Sequence, residues 1–128
     1  MRNAIIGLLI LASAQTWAHG ESLPGPYGGF ISMPGAFHVE LVPIGGTRLK
    51  VYLLDVQFKN PTAKDSSVGL LHGSTAANCR KRENYFVCEL PDSVDLKKPG
   101  KLTITAVREK QVGNTVAYTL PLKFGAHQ

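Results

Sequence analysis

From Phe30 onward apolar residues recur at every second position in short runs, and this period-two pattern constrains the fold more than any other feature of the chain. Phe37, Val39 and Leu41 alternate with His38, Glu40 and Val42, and Leu49, Val51 and Leu53 alternate with Lys50, Tyr52 and Leu54. A change of phase near Leu54 and Asp55 hands over to Val56 and Phe58, as a bulge in a long strand would. Val68 and Leu70 begin another run. Phe86, Cys88 and Leu90 follow, then Leu102, Ile104 and Ala106, and finally Val116, Tyr118, Leu120, Leu122 and Phe124. Successive side chains of a strand leave opposite faces, so each run can bury one face and leave the other to solvent. Turn-forming residues separate the runs at Pro43 to Gly46, Asn60-Pro61, Gly73-Ser74, Pro99-Gly100 and Gly113-Asn114. Such a sequence predicts an all-β fold, an antiparallel β-sandwich of about seven strands.

The start of the chain has a different character. Met1-Arg2-Asn3 is short and positive, Ala4 to Ala14 is apolar, and Thr16-Trp17-Ala18 sets small residues at the −3 and −1 positions of a cut after Ala18. These three features together predict a signal peptide over residues 1–18 and a periplasmic or secreted protein. A Gly/Pro-rich N-terminal arm over 19–36 would then precede a β-sandwich domain over 37–128. In an oxidising compartment Cys79 and Cys88, the two cysteines of the chain, read as a disulfide bond closing a hairpin. The loop-entropy argument assigns that bridge about 2–3 kcal/mol.

At 128 residues the chain holds one domain. The net charge of +5 bears on solubility more than on fold. No apolar run is long enough to remain as a membrane-spanning helix after cleavage. Arg80-Lys81-Arg82 is a short basic run at a hairpin tip, without the wide basic face and stacking aromatics that a nucleic-acid partner needs. No nucleophile elbow, His-Glu-x-x-His motif or phosphate-binding glycine loop is present, so no enzyme activity is expected.

The histidines carry the functional signal. Cleavage after Ala18 would make His19 the first residue, offering its α-amine and ring Nδ1 to one metal as a chelate. Cu(II) favours nitrogen-rich tetragonal sites, which makes copper the foremost cofactor candidate. His38 and Glu40 stand two apart on a strand, so their side chains leave the same face about 6.5–7 Å apart. They read either as metal ligands, with Glu40 in direct contact or as a supporting acceptor, or as the solvent face of an amphipathic strand. His72 follows Val68 and Leu70 in phase and reads as a further ligand or as a hydrogen-bonded histidine at the edge of the core. His127 lies next to the C-terminus. Met33 offers a single thioether, and Tyr27 and Phe30 could flank a metal or dock the arm.

Two resemblances accompany these readings. Leu90 to Ile104, with its loop leucine, Pro99-Gly100 and alternating strand, looks like the crossing loop and next strand of an immunoglobulin-like domain. The segment from His19 to Phe30 (HGESLPGPYGGF), followed by Pro34 to Val42 (PGAFHVELV), resembles the mature N-terminus of small periplasmic metal-resistance proteins. In those, an "HG…GPxGG…GxxHxELV" pattern precedes an immunoglobulin-like or cupredoxin-like sandwich. The layout is also similar to CopC-type copper-resistance proteins, with an N-terminal histidine and further histidines on a sandwich. That resemblance implies copper binding in metal resistance or delivery, with a periplasmic metal exporter or chaperone as partner. His19 and His38 are the positions that transfer. A methionine-rich loop is missing, and Tyr27 stands where the pattern more often carries histidine. The rival expectation is a periplasmic β-sandwich protein-interaction module that binds no metal and pairs through its strand edges. An oxidative copper enzyme that also begins with histidine would need a broader substrate surface than this domain provides.

Overall fold

A computed structural model describes residues 23–125. Ten strands form two antiparallel five-stranded sheets, and no α-helix occurs among the described residues. The strands are β1 (Phe30–Ser32), β2 (His38–Gly45), β3 (Arg48–Leu54), β4 (Ser67–His72), β5 (Thr75–Ala76), β6 (Asn78–Lys81), β7 (Phe86–Glu89), β8 (Gly100–Arg108), β9 (Gln111–Val112) and β10 (Val116–Leu120). The first sheet runs β1-β2-β3-β7-β6. The second runs β10-β8-β4-β5, with β9 paired to β8. The expected all-β sandwich is therefore the fold. The strand number exceeds the expected seven because β1, β5 and β9 are pieces of two or three residues.

The alternation is obeyed where it was strongest. Val39 and Leu41 from β2, Leu49, Val51 and Leu53 from β3, and Phe86 and Cys88 from β7 face Leu70, Leu102, Ile104, Ala106, Tyr118 and Leu120 of the other sheet. Each large aliphatic side chain buried this way contributes about 1.5–3 kcal/mol. The chain crosses between sheets after β7, over the 90–99 loop into β8, where Leu90 joins the core. Cys79 and Cys88 are directly opposite in the β6–β7 ladder and form a disulfide, with Cα atoms 3.9 Å apart.

Two sequence expectations are corrected. The phase change at Leu54-Asp55 ends β3, and residues 55–59 form a tight turn instead of a bulged continuation. The irregularity of this ladder lies between Pro43 and Gly45. The last strand stops at Leu120, because Pro121 has no N–H to donate to a ladder. Leu122 and Phe124 lie beyond it, and the Phe124 ring stacks on Phe30 at 4.1 Å. The end of the N-terminal arm pairs with the sheet. Its β1 pairs with β2, and Tyr118 from the opposite sheet donates its hydroxyl to the Phe30 carbonyl (3.1 Å) and lies 2.9 Å from Ser32 Oγ.

Candidate functional site

His38 and Glu40 leave the face of β2 opposite to Val39 and Leu41, which lie in the core. On a bare two-layer sandwich that face would be wet. Here it is covered: His38 is 7% exposed and Glu40 is 0% exposed. The solvent-face reading of these two residues is thereby corrected, and the cover comes from two directions.

Over Glu40 lies the arm. Pro24 bridges Phe30, and the intervening residues make a tight turn in which Gly25 N–H donates to the Gly29 carbonyl and Gly28 N–H to the Gly25 carbonyl, each at 2.9 Å. Glu40 Oε2 accepts from Tyr27 N–H at 2.9 Å and from Gly29 N–H at 2.7 Å, so one carboxylate oxygen ties the turn to the sheet. Among the described residues Oε1 is buried and has no hydrogen-bond partner. The glycines are required by proximity. A Cβ on Gly25 would stand 2.5 Å from Glu40 Cδ, and one on Gly29 would stand 2.5 Å from the Leu41 carbonyl oxygen. Burial pushes the Glu40 carboxyl above its ordinary value of 4.5, against the opposing pull of the Gly29 and Tyr27 N–H groups. Tyr27 completes the cover by stacking on Tyr52, the cross-strand neighbour of Glu40, with ring centroids 3.9 Å apart and planes within 2°.

Over His38 lies the turn after β3. Asp55 organises it through its carboxylate. Oδ1 accepts from Gln57 N–H and Lys59 N–H, both at 2.9 Å, and Oδ2 accepts from the Asn60 side-chain amide at 2.8 Å. Those donors, Lys59 N–H foremost, hold the Asp55 carboxyl below its ordinary value of 3.8. Arg108 of the second sheet bolts the base of this segment, donating from Nε to the Leu53 carbonyl (3.3 Å) and from Nη2 to the Asn60 carbonyl (2.6 Å). The Asp55 carbonyl then takes His38 Nδ1 at 3.1 Å. A carbonyl oxygen can only accept, so Nδ1 carries a proton, and in the neutral ring Nε2 keeps its lone pair. Phe58 closes the arrangement, its ring stacked on the imidazole at 3.9 Å and 17°.

Of the sequence-derived site residues, the structure brings His38 and Glu40 onto one face. His72 sits elsewhere. It ends β4 opposite Leu102, whereas the Leu53 end of β3 is clasped by Arg108, six residues further along β8. At strand rise that is a separation of about 20 Å, on the other sheet, so one ion cannot bind both His38 and His72. His72 is half-buried, and a Cβ on Gly100 would stand 3.2 Å from its Nε2. His19 and His127 lie outside the described residues. Among the described residues no group of three His, Cys, Asp or Glu side chains could hold a metal. A complete metal site around His38 therefore needs a donor from outside them.

Periodicity gives Asp55 and Phe58 no role beyond the phase change between two runs. The signal was present: an aspartate that starts a turn, followed by Asn60-Pro61, is the pattern of an aspartate-capped turn. Alternation alone reads the phase change at the same place as a bulge. Comparison of the chain with protein-family models, with curated proteins and with solved structures finds no match.

Proposed function

We propose that this protein is an exported binding protein for a transition metal, copper(II) foremost, in which His38 Nε2 is one donor and a chelating N-terminal His19 supplies the others. The observation that carries this reading is the hydrogen bond between His38 Nδ1 and the Asp55 carbonyl. Histidines that bind metals through one ring nitrogen almost always commit the other to a carbonyl or carboxylate, which fixes the tautomer and strengthens the donor. Glu40 supports the site by tying down the arm that leads to His19, rather than by meeting the metal.

The reach of the arm is adequate. Pro24 is two strand spacings from β2, through Phe30 to Leu41, and His38 is three residues along from Leu41. That puts the Cα atoms of Pro24 and His38 roughly 14 Å apart. The five residues from Pro24 back to His19 can span up to about 17 Å. The antiparallel bridge also points Leu23, the first described residue, toward the His38 end of β2, since Phe30 pairs with Leu41 and Ser32 with Val39. The protein acts by binding and release, in metal resistance or delivery, handing its cargo to an exporter or chaperone.

Copper(II) titration of protein starting at His19 tests this. One equivalent should bind, and a variant with one extra residue before His19 should lose most of its affinity, because the α-amine is then an amide. Removing the His38 ring, in His38→Ala, should do the same. Equal binding by all three proteins overturns the proposal. If none of them binds copper and a partner protein co-purifies with the chain, the interaction-module reading replaces it.

A further inference from the structure

We propose that Phe58 is a positioning residue for His38: its ring and the Asp55 turn that carries it form a wall that holds the imidazole in the single orientation and tautomer that projects Nε2. The inference rests on the reading of His38 as a metal donor for its purpose, but the positioning itself can be tested without metal.

Phe58 occupies a conformation that its residue type disfavours. Its φ is 63°, in the left-handed region, where a side chain crowds the following carbonyl oxygen. The residue is 40% exposed and lies outside the core cluster. What it makes in that position is the face-to-face contact with His38, at 3.9 Å between centroids. The surroundings hold Phe58 there. Its N–H donates to the Asp55 carbonyl at 3.0 Å, Asp55 N–H donates to the Lys59 carbonyl at 2.8 Å, and the Asp55 carboxylate takes Gln57 and Lys59 N–H on either side of it.

The Asp55 carbonyl oxygen is thus shared by Phe58 N–H and His38 Nδ1. One peptide group sets both the ring that stacks on the imidazole and the acceptor that fixes its proton. Two constraints at right angles follow. The hydrogen bond lies in the plane of the imidazole and fixes rotation about its axis, while the Phe58 face blocks tilting out of plane. Neither alone holds a histidine ring still. A ring held still does not have to be reoriented when a ligand binds, and the entropy of ordering it is already spent in folding. Outer partners of this kind typically alter metal affinity by about 10–100-fold.

The discriminating variant is Phe58→Gly. Glycine tolerates the φ of 63°, so the turn and its Asp55 hydrogen bonds remain while the wall disappears. Nitrogen-15 NMR of the imidazole in metal-free protein at a pH where His38 is neutral reads the tautomer directly. Wild-type His38 should be protonated at Nδ1. Phe58→Gly should show a mixture of both tautomers, and Phe58→Trp, which keeps an aromatic face, should resemble wild type. With copper(II) as probe, Phe58→Gly should bind about tenfold more weakly. A wild-type ring protonated at Nε2, or an unchanged tautomer in Phe58→Gly, overturns the positioning role. A tautomer that shifts as expected in a protein that binds no copper supports the positioning role and removes the metal reading of the site.

Discussion

Replacing Glu40 by alanine removes the acceptor on which the arm is fastened. Two hydrogen bonds to a carboxylate are lost, from Tyr27 N–H and Gly29 N–H. Hydrogen bonds to charged groups are worth about 1.5–3 kcal/mol each, so the gross loss is about 3–6 kcal/mol. Against this, the variant no longer buries a carboxyl group whose Oε1 lacks a partner among the described residues, a cost of about 1–3 kcal/mol. At the middle of both ranges the net destabilisation is about 2.5 kcal/mol, and it falls first on the turn from Pro24 to Phe30, since the core residues of β2 face the other way. Glu40→Gln keeps the shape and one oxygen able to accept from both N–H groups, and should cost only about 1 kcal/mol. Native-state hydrogen exchange at Tyr27 and Gly29 checks this locally, and urea unfolding checks it globally. Both amides should exchange far faster in Glu40→Ala while the amides of β3 and β8 open only with global unfolding. If Glu40→Ala protects both amides as wild type does, with stability within about 0.5 kcal/mol of it, the carboxylate does not hold the arm.

The raised Glu40 pKa makes a second prediction, whose sign follows from linkage. A carboxyl that holds its proton more tightly in the folded than in the unfolded chain adds stability at acid pH, and that contribution is lost as pH rises from about 4.5 through the folded value. The stability of wild type relative to Glu40→Gln should therefore fall from pH 4.5 toward neutrality, and a difference independent of pH would contradict the burial argument. Reduction of the disulfide, or the double variant Cys79→Ser with Cys88→Ser, should lower stability by about 2–3 kcal/mol in urea titrations and leave the β-sheet circular dichroism in place. The half-sandwich contacts of Cys88 in the core predict that Cys88→Ser alone costs more than Cys79→Ser alone, because Cys88 is fully buried and Cys79 only half-buried.

Much of this molecule is written locally. The alternation of Val39, Leu41, Leu49, Val51, Leu53, Leu102, Ile104 and Ala106 assigns each strand a core face, and a set of one-faced strands can only be satisfied by a second sheet. The same parity puts His38 and Glu40 on one side of β2, and the nine-residue separation of the cysteines suits a bridged hairpin. Parity says which side a residue leaves, however, and is silent on what lies there. That Glu40 is sealed by a turn 11 to 13 residues upstream, that His38 meets a carbonyl 17 residues downstream, and that His72 ends at the far end of the other sheet were decided by packing between distant segments. The physical reason is that each of these contacts is made by a backbone group or a turn, which every residue type possesses and no periodicity marks. The strands and their faces were therefore determined by the order of the residues. The cover that turns a wet strand face into a guarded imidazole was determined only when the arm and the Asp55 turn closed over it.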